Sequence, residues 1–297
     1  MFTGCGTALV TPFRKDLSLD EEALRRLVRR QIDGGINFLV PCGTTGESPT
    51  LSRKEHLRVV EITLDEAKER KVPVVAGAGG YNTAEVIELA KEIENLGADG
   101  ILSVTPYYNK PTQEGLYQHY RAIAFAVNLP IVVYSVQGRT GVNVEPATLA
   151  RLSEIENIVA VKEASGNMSQ IATICAKVDL LVLSGDDAIS LGVIAHGGSG
   201  VISVVANIDP ARMSDMVETA NSGNFKLARD LQNRLLPLME ACFLESNPIP
   251  VKAALAAMGL IEPVYRLPLV PPRTDTMAKI DAVLRSMDLL EPVNARG

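Results

Sequence analysis

Short apolar runs recur along most of this chain, each followed by a turn rich in Gly, Pro or Thr and then by a charged amphipathic segment. The runs are residues 8–10, 38–40, 72–76, 101–104, 131–134, 158–162, 180–183 and 200–205. They are too short for helices and apolar throughout rather than alternating, which marks strands of a parallel sheet covered on both faces. Helix signals lie between them. Asp20-Glu21-Glu22 leads into Leu24, Leu27, Val28 and Ile32; Ser52 and Glu55 make a capping box; Asn82 opens a helix that Gly97 stops. Eight such alternations favour a closed (β/α)₈ TIM barrel over an open α/β sheet. Beyond Asn207 the strand signals cease, and residues 213–220, 225–238, 250–258 and 276–286 read as helices. The chain is therefore expected to divide into a barrel, residues 1–224, and a C-terminal helical region, residues 225–297, with 267–272 as an extended connector.

Composition narrows the function more by exclusion than by indication. A net charge of −6 offers no basic surface for nucleic acid. No apolar run approaches the roughly 18 residues of a membrane helix, and residues 1–10 lack a basic leader. Cys5, Cys42, Cys175 and Cys242 have no paired spacing, and His56, His119 and His196 are dispersed, so neither a disulfide framework nor a metal site is expected. A cytoplasmic location fits this cysteine usage.

The candidate chemistry centres on residues 158–166, where an apolar strand runs into Lys162 and stops at Gly166. Alternation places Ile158, Ala160 and Lys162 on one face, and Val159, Val161 and Glu163 on the other. A lysine at a barrel strand end either snorkels to solvent or presents an amine to a carbonyl substrate for Schiff-base formation. Other strand ends carry suitable company. Gly43-Thr44-Thr45-Gly46-Glu47 combines turn N–H groups that suit a carboxylate with hydroxyls that suit proton relay. Tyr107 and Tyr108 are adjacent in an extended segment, so one can enter a site while the other faces away. Tyr134 ends the strand before that of Lys162, and Arg139 follows in a Gly-rich loop suited to carboxylate capture.

Residues 43–47, Tyr107-Tyr108-Asn109-Lys110-Pro111, Tyr134 with Arg139-Thr140-Gly141, 161–166 and Asn247-Pro248-Ile249-Pro250-Val251-Lys252, in this order, resemble the dihydrodipicolinate synthase family of class I pyruvate aldolases. The resemblance implies a condensation of pyruvate with L-aspartate 4-semialdehyde that needs no metal or cofactor. It implies that Lys162 forms the Schiff base, and that Tyr134 shuttles protons through Thr44 to Tyr108 of a neighbouring subunit. Thr45 N–H would hold the pyruvate carboxylate, Arg139 that of the aldehyde, and Gly185 and Ile202 would line the pyruvate pocket. A homotetramer built from tight dimers is implied as well.

Two positions depart from the family's usual pattern. Ser135 and Gln137 stand where Asn and Pro are usual, which bears on the placement of Arg139 and hence on the second substrate. A sister pyruvate aldolase, such as an N-acetylneuraminate lyase or a 2-keto-3-deoxy sugar-acid aldolase, shares Lys162, Tyr134 and the Gly-Thr-Thr turn, and Arg139 separates the two. A non-catalytic ligand-binding barrel is the remaining alternative. In regulated members lysine binds near the positions of Ser48, His56, Glu85 and Tyr107. Here Arg53 adds a positive charge and Tyr81 replaces a usual asparagine, so weak or absent inhibition by lysine is expected.

Overall fold

The structure, a computed structural model, describes residues 2–290. Eight strands lie among them: β1 (Gly4–Ala8), β2 (Phe38–Val40), β3 (Val75–Gly77), β4 (Gly100–Val104), β5 (Ile131–Ser135), β6 (Ile158–Glu163), β7 (Leu181–Ser184) and β8 (Gly200–Ser203). All pair in parallel, in the order β2-β1-β8-β7-β6-β5-β4-β3. The ring closes between β2 and β3 through a Leu39–Val74 bridge, with Leu39 N donating to Pro73 O and Gly77 N to Pro41 O, both at 2.9 Å. The fold is the expected (β/α)₈ barrel.

The outer ring comprises α1 (Glu21–Asp33), α2 (Arg53–Lys68), α3 (Thr83–Leu96), α4 (Gln113–Ala124), the single turn α5 (Gln137–Thr140), α6 (Pro146–Leu152), α7 (Met168–Lys177), α8 (Ser190–Ala195) and α9 (Pro210–Asn221). Their starts follow the sequence signals: Asp20 caps α1, Asn82 caps α3, and Ser52 with Glu55 forms a reciprocal capping box on α2. Then come α10 (Phe225–Ala241), which packs on α9, α11 (Ile249–Ala257) and α12 (Thr274–Ser286). α10 begins at Phe225, and residues 291–297 of the expected C-terminal helical region lie outside the described residues.

Two apolar layers result. Val132, Tyr134, Ala160, Leu183 and Ile202 fill the barrel interior; Ile131, Val133, Val161 and Val182 face the helices. Local departures from expectation have physical causes. The first strand starts at Gly4, not Ala8, because its glycines dilute the apolar signal. Gly6 is required there, since a Cβ would lie 2.2 Å from the Phe38 ring. In the third strand Pro73 has no N–H to give the ladder, so pairing starts later than residue 72, with the Val74 bridge and then the strand from Val75. In β6 the register slips by one residue opposite Ile131 and Val132. That bulge puts Ile158 in the outer layer rather than on the face of Ala160, while the alternation of Ala160, Val161 and Lys162 holds.

Candidate active site

Parallel pairing brings the ends of β4 to β8 to one mouth of the barrel, and register aligns two of the candidate residues. Tyr134 on β5 pairs with Lys162 on β6, and Lys162 Nζ sits 4.3 Å from the centre of the Tyr134 ring. Both side chains are buried. Gly185, at the end of β7, leaves the lysine its room: a Cβ there would lie 3.2 Å from Lys162 Cε and 2.6 Å from Ala164 Cβ. Ile202 packs in the same interior layer as Tyr134. Glu163, on the opposite face, is buried and accepts from Gln170 Nε2 at 2.9 Å and from Ser165 N at 3.2 Å.

Above these residues opens a cavity of about 230 Å³, lined by Thr44, Tyr107, Tyr134, Val136, Arg139 and Gly79 among others. Lys162, Thr45, Gly185 and Ile202 are not among its lining residues; Lys162 adjoins Tyr134, which is. The turn after β2 folds on itself, Gly46 and Glu47 donating to Gly43 O and Thr44 O, each at 3.1 Å. Among the described residues the N–H groups of Thr44 and Thr45 donate to no backbone carbonyl, which leaves two adjacent donors for an anion.

The expected loop around Arg139 is the helical turn α5. Gln137 takes its first position, where an N–H has no intrahelical acceptor and a proline would serve equally. The change from proline therefore costs the turn no hydrogen bond. Ser135 Oγ accepts from Val144 N at 3.2 Å and tethers the following segment. Arg139 lines the cavity and donates from Nη2 to Asn247 O at 3.0 Å.

The two tyrosines diverge as their adjacency requires. Tyr107 lines the cavity, packed edge-on against Tyr81 at 5.2 Å, and burial pushes its phenol above the ordinary range, with Tyr81 and Glu85 adding to the effect. Tyr108 is 89% exposed, adopts φ +59° and does not line the cavity. Ser48 and His56 line the same cavity; His56 Nε2 contacts Gly77 O at 2.8 Å, and burial lowers its pKa. Glu85 is exposed and accepts from Asn82 Nδ2 at 2.9 Å. Arg53 is ion-paired with Glu92 at 2.8 Å on the surface and does not line the cavity, while its charge still helps to lower the pKa of His56, which does.

Sequence reasoning missed the support beneath the turn. Glu47 and Lys252 form a fully buried ion pair, and Lys252 Nζ lies 4.5 Å from the Phe13 ring centre. Burial pulls the Lys252 pKa down, against the raising effect of Glu47. One residue type was the available signal: a lone lysine in Ile249–Ala257, otherwise wholly apolar. Asn247 Nδ2 also donates to Thr45 Oγ1 at 2.9 Å. Among the described residues no three His, Cys, Asp or Glu side chains are grouped as metal ligands, and no helix is long and apolar enough to cross a membrane.

A (β/α)₈ barrel with a buried lysine at a strand end, facing a tyrosine on the neighbouring strand, has the layout of a Schiff-base aldolase. The model of the Dihydrodipicolinate synthetase family matches residues 1–287, and the chain belongs to that family. It is an enzyme of the class I aldolase type that this family comprises. Among curated relatives, the 4-hydroxy-tetrahydrodipicolinate synthase of Koribacter versatilis is 54% identical over 291 residues, covering 97% of each chain. Among solved structures, the dihydrodipicolinate synthase of Thermotoga maritima superposes with a TM-score of 0.95 at 48% identity, covering 98% of this chain and 100% of that one. A monomeric dihydrodipicolinate synthase variant also has a TM-score of 0.95, at 47% identity, covering 97% of this chain and 98% of that one.

Proposed function

We propose that this chain condenses pyruvate with L-aspartate 4-semialdehyde to give 4-hydroxy-tetrahydrodipicolinate, in the diaminopimelate route to lysine. The observation that carries this reading is the Tyr134–Lys162 pair below a cavity lined by Thr44 and Arg139. The Lys162 amine adds to the pyruvate ketone and water leaves, giving an imine. The imine draws electrons from C3, which loses a proton to become an enamine; C3 then bonds to the aldehyde carbon, whose oxygen takes up a proton. Attack of the product's amino group on the imine carbon closes the ring and frees Lys162. Proton transfer at each stage is the role of Tyr134, with Thr44 as its relay.

The free N–H groups of residues 44 and 45 support placing the pyruvate carboxylate there. Arg139 at the cavity wall supports recognition of a second carboxylate. Gly185 and Ile202 would then bound the space for the pyruvate methyl and ketone. Tyr108 stands outside its own site, which supports a role in a partner's site and a homotetramer made of tight dimers. We place the reaction in the cytoplasm.

The reading is tested by supplying pyruvate with L-aspartate 4-semialdehyde, and separately N-acetylneuraminate or 2-keto-3-deoxy sugar acids. Consumption of both partners of the first pair, with no cleavage of the sugar acids, is expected. Cleavage of a sugar acid without use of the semialdehyde would assign the chain to a sister aldolase.

A further inference from the structure

Asn247 lies between the two carboxylate-binding elements and holds both. Its Nδ2 donates to Thr45 Oγ1 at 2.9 Å, and its main-chain oxygen accepts from Arg139 Nη2 at 3.0 Å. The three residues come from the turn after β2, from α5 and from the segment entering α11, separated by 202 and 108 positions in sequence. Asn247 is 6% exposed, so water cannot readily replace either bond. Its Oδ1 has no partner, which means that Thr45 is the side chain's single use among the described residues. A purely structural asparagine would be expected to spend both ends of its amide. Five residues on, the Lys252–Glu47 ion pair fastens α11 to the same turn, so the contact stands on a firm base.

We propose that Asn247 is a positioning residue that couples the two carboxylate sites, fixing Thr45 through its amide and Arg139 through its carbonyl. Pyruvate bound at residues 44 and 45 then steadies the arginine that receives the aldehyde. This rests on the assignment of substrates made above. Both elements move as one because the linking groups lie on a single residue and its amide has no competing partner.

The test is a double-mutant cycle on the full-length protein, with steady-state constants for both substrates. Asn247→Ala removes the amide and keeps the main-chain oxygen, so it should raise KM for pyruvate by roughly tenfold, the scale of one lost buried hydrogen bond. KM for aspartate semialdehyde should rise by a smaller factor above about twofold, through the loosened segment that carries that oxygen. Thr45→Val should do the same for pyruvate, and the double variant should add less than about twofold to either single change, since both remove one bond. Multiplying effects, or both KM values within twofold of the unmodified protein, would overturn the proposal. Asn247→Asp keeps the shape and serves if the alanine variant fails to fold; the expected result is again a rise in both KM values, larger than the fall in kcat. A fall in kcat alone would show a merely structural role. Borohydride trapping of pyruvate on the unmodified protein separates the two levels. If no adduct forms, the substrate assignment fails and the coupling falls with it; if it forms and the cycle is multiplicative, the coupling alone fails.

Discussion

Lys162 Nζ lies 4.3 Å from the centre of the Tyr134 ring, on the adjacent strand and in register with it. Two consequences follow from that placement. The amine is held away from bulk water at a strand end that cannot shift without breaking the sheet. The tyrosine, which lines the cavity while the lysine does not, puts its ring beside the amine at the cavity's edge.

Borohydride added with pyruvate should leave a reduced three-carbon adduct on the peptide that contains Lys162. Lys162→Ala should lose the adduct and roughly 10³-fold or more of kcat, as expected when a nucleophile is removed. Full labelling of that variant would move the covalent role elsewhere.

Arg139→Ala should lower kcat/KM for aspartate semialdehyde by about 2–4 kcal/mol of transition-state binding, the scale of removing one partner of a buried charge pair. Pyruvate trapping should persist, with at most a modest rise in KM for pyruvate passed through Asn247, because the Thr44 and Thr45 amides stay in place without the guanidinium. The opposite pattern, trapping lost and aldehyde affinity kept, would reverse the two carboxylate assignments.

Tyr108, 89% exposed, predicts a shared site. Inactive Tyr108→Phe and Lys162→Ala subunits, mixed under conditions where subunits exchange, should regain activity, since a hybrid dimer holds one complete set. No recovery despite demonstrated exchange would count against a relay that crosses subunits.

Acid should weaken the fold through buried histidines. His119, at 2.9 Å from Thr83 Oγ1 and with Nε2 unpartnered, has its pKa lowered by burial from 6.5 to about 4, and that of His56 is lowered too. Between those pH values the unfolded chain binds a proton that the folded chain refuses, so stability falls as pH drops from about 6.5 towards 4. The loss from His119 is at most about 3 kcal/mol. Urea unfolding at pH 7 and pH 4.5 measures it, and His119→Gln should flatten the difference. An unchanged difference would place its origin in other groups.

Local chemistry was legible in the sequence and long-range support was not. Lys162, Tyr134 and the turn at 43–47 announce themselves through residues a few positions apart, because strand ends and glycine turns are short-range features. Glu47 and Lys252 meet across 205 positions, and Asn247 reaches Thr45 across 202. No spacing rule links such residues; only the closure of the barrel and the return of α11 bring them together. The bulge that turns Ile158 outward was equally hidden, since it depends on the neighbouring strand's register. The charge of Arg53 could be read, but its pairing with Glu92 across 39 positions could not.

Arg53 keeps its charge near His56, and Tyr81 adds a second reason to expect weak inhibition by lysine. Ser48, His56 and Tyr107 line the cavity, and the charge of exposed Glu85 acts on Tyr107, so groups able to hold an amino acid remain. Tyr81, 52% exposed, packs its ring edge-on against Tyr107 at 5.2 Å, and its hydroxyl is a poorer partner for a carboxylate than an asparagine amide with two N–H donors. One hydrogen bond fewer to a charged ligand group costs on the order of 1.5–3 kcal/mol, or roughly ten- to a hundredfold in affinity. Lysine titrated at saturating pyruvate should therefore inhibit weakly, and Tyr81→Asn should tighten inhibition by about that factor. Half-inhibition of the unmodified protein below roughly a millimolar, a binding free energy near 4 kcal/mol, would show that the tyrosine does not obstruct the site.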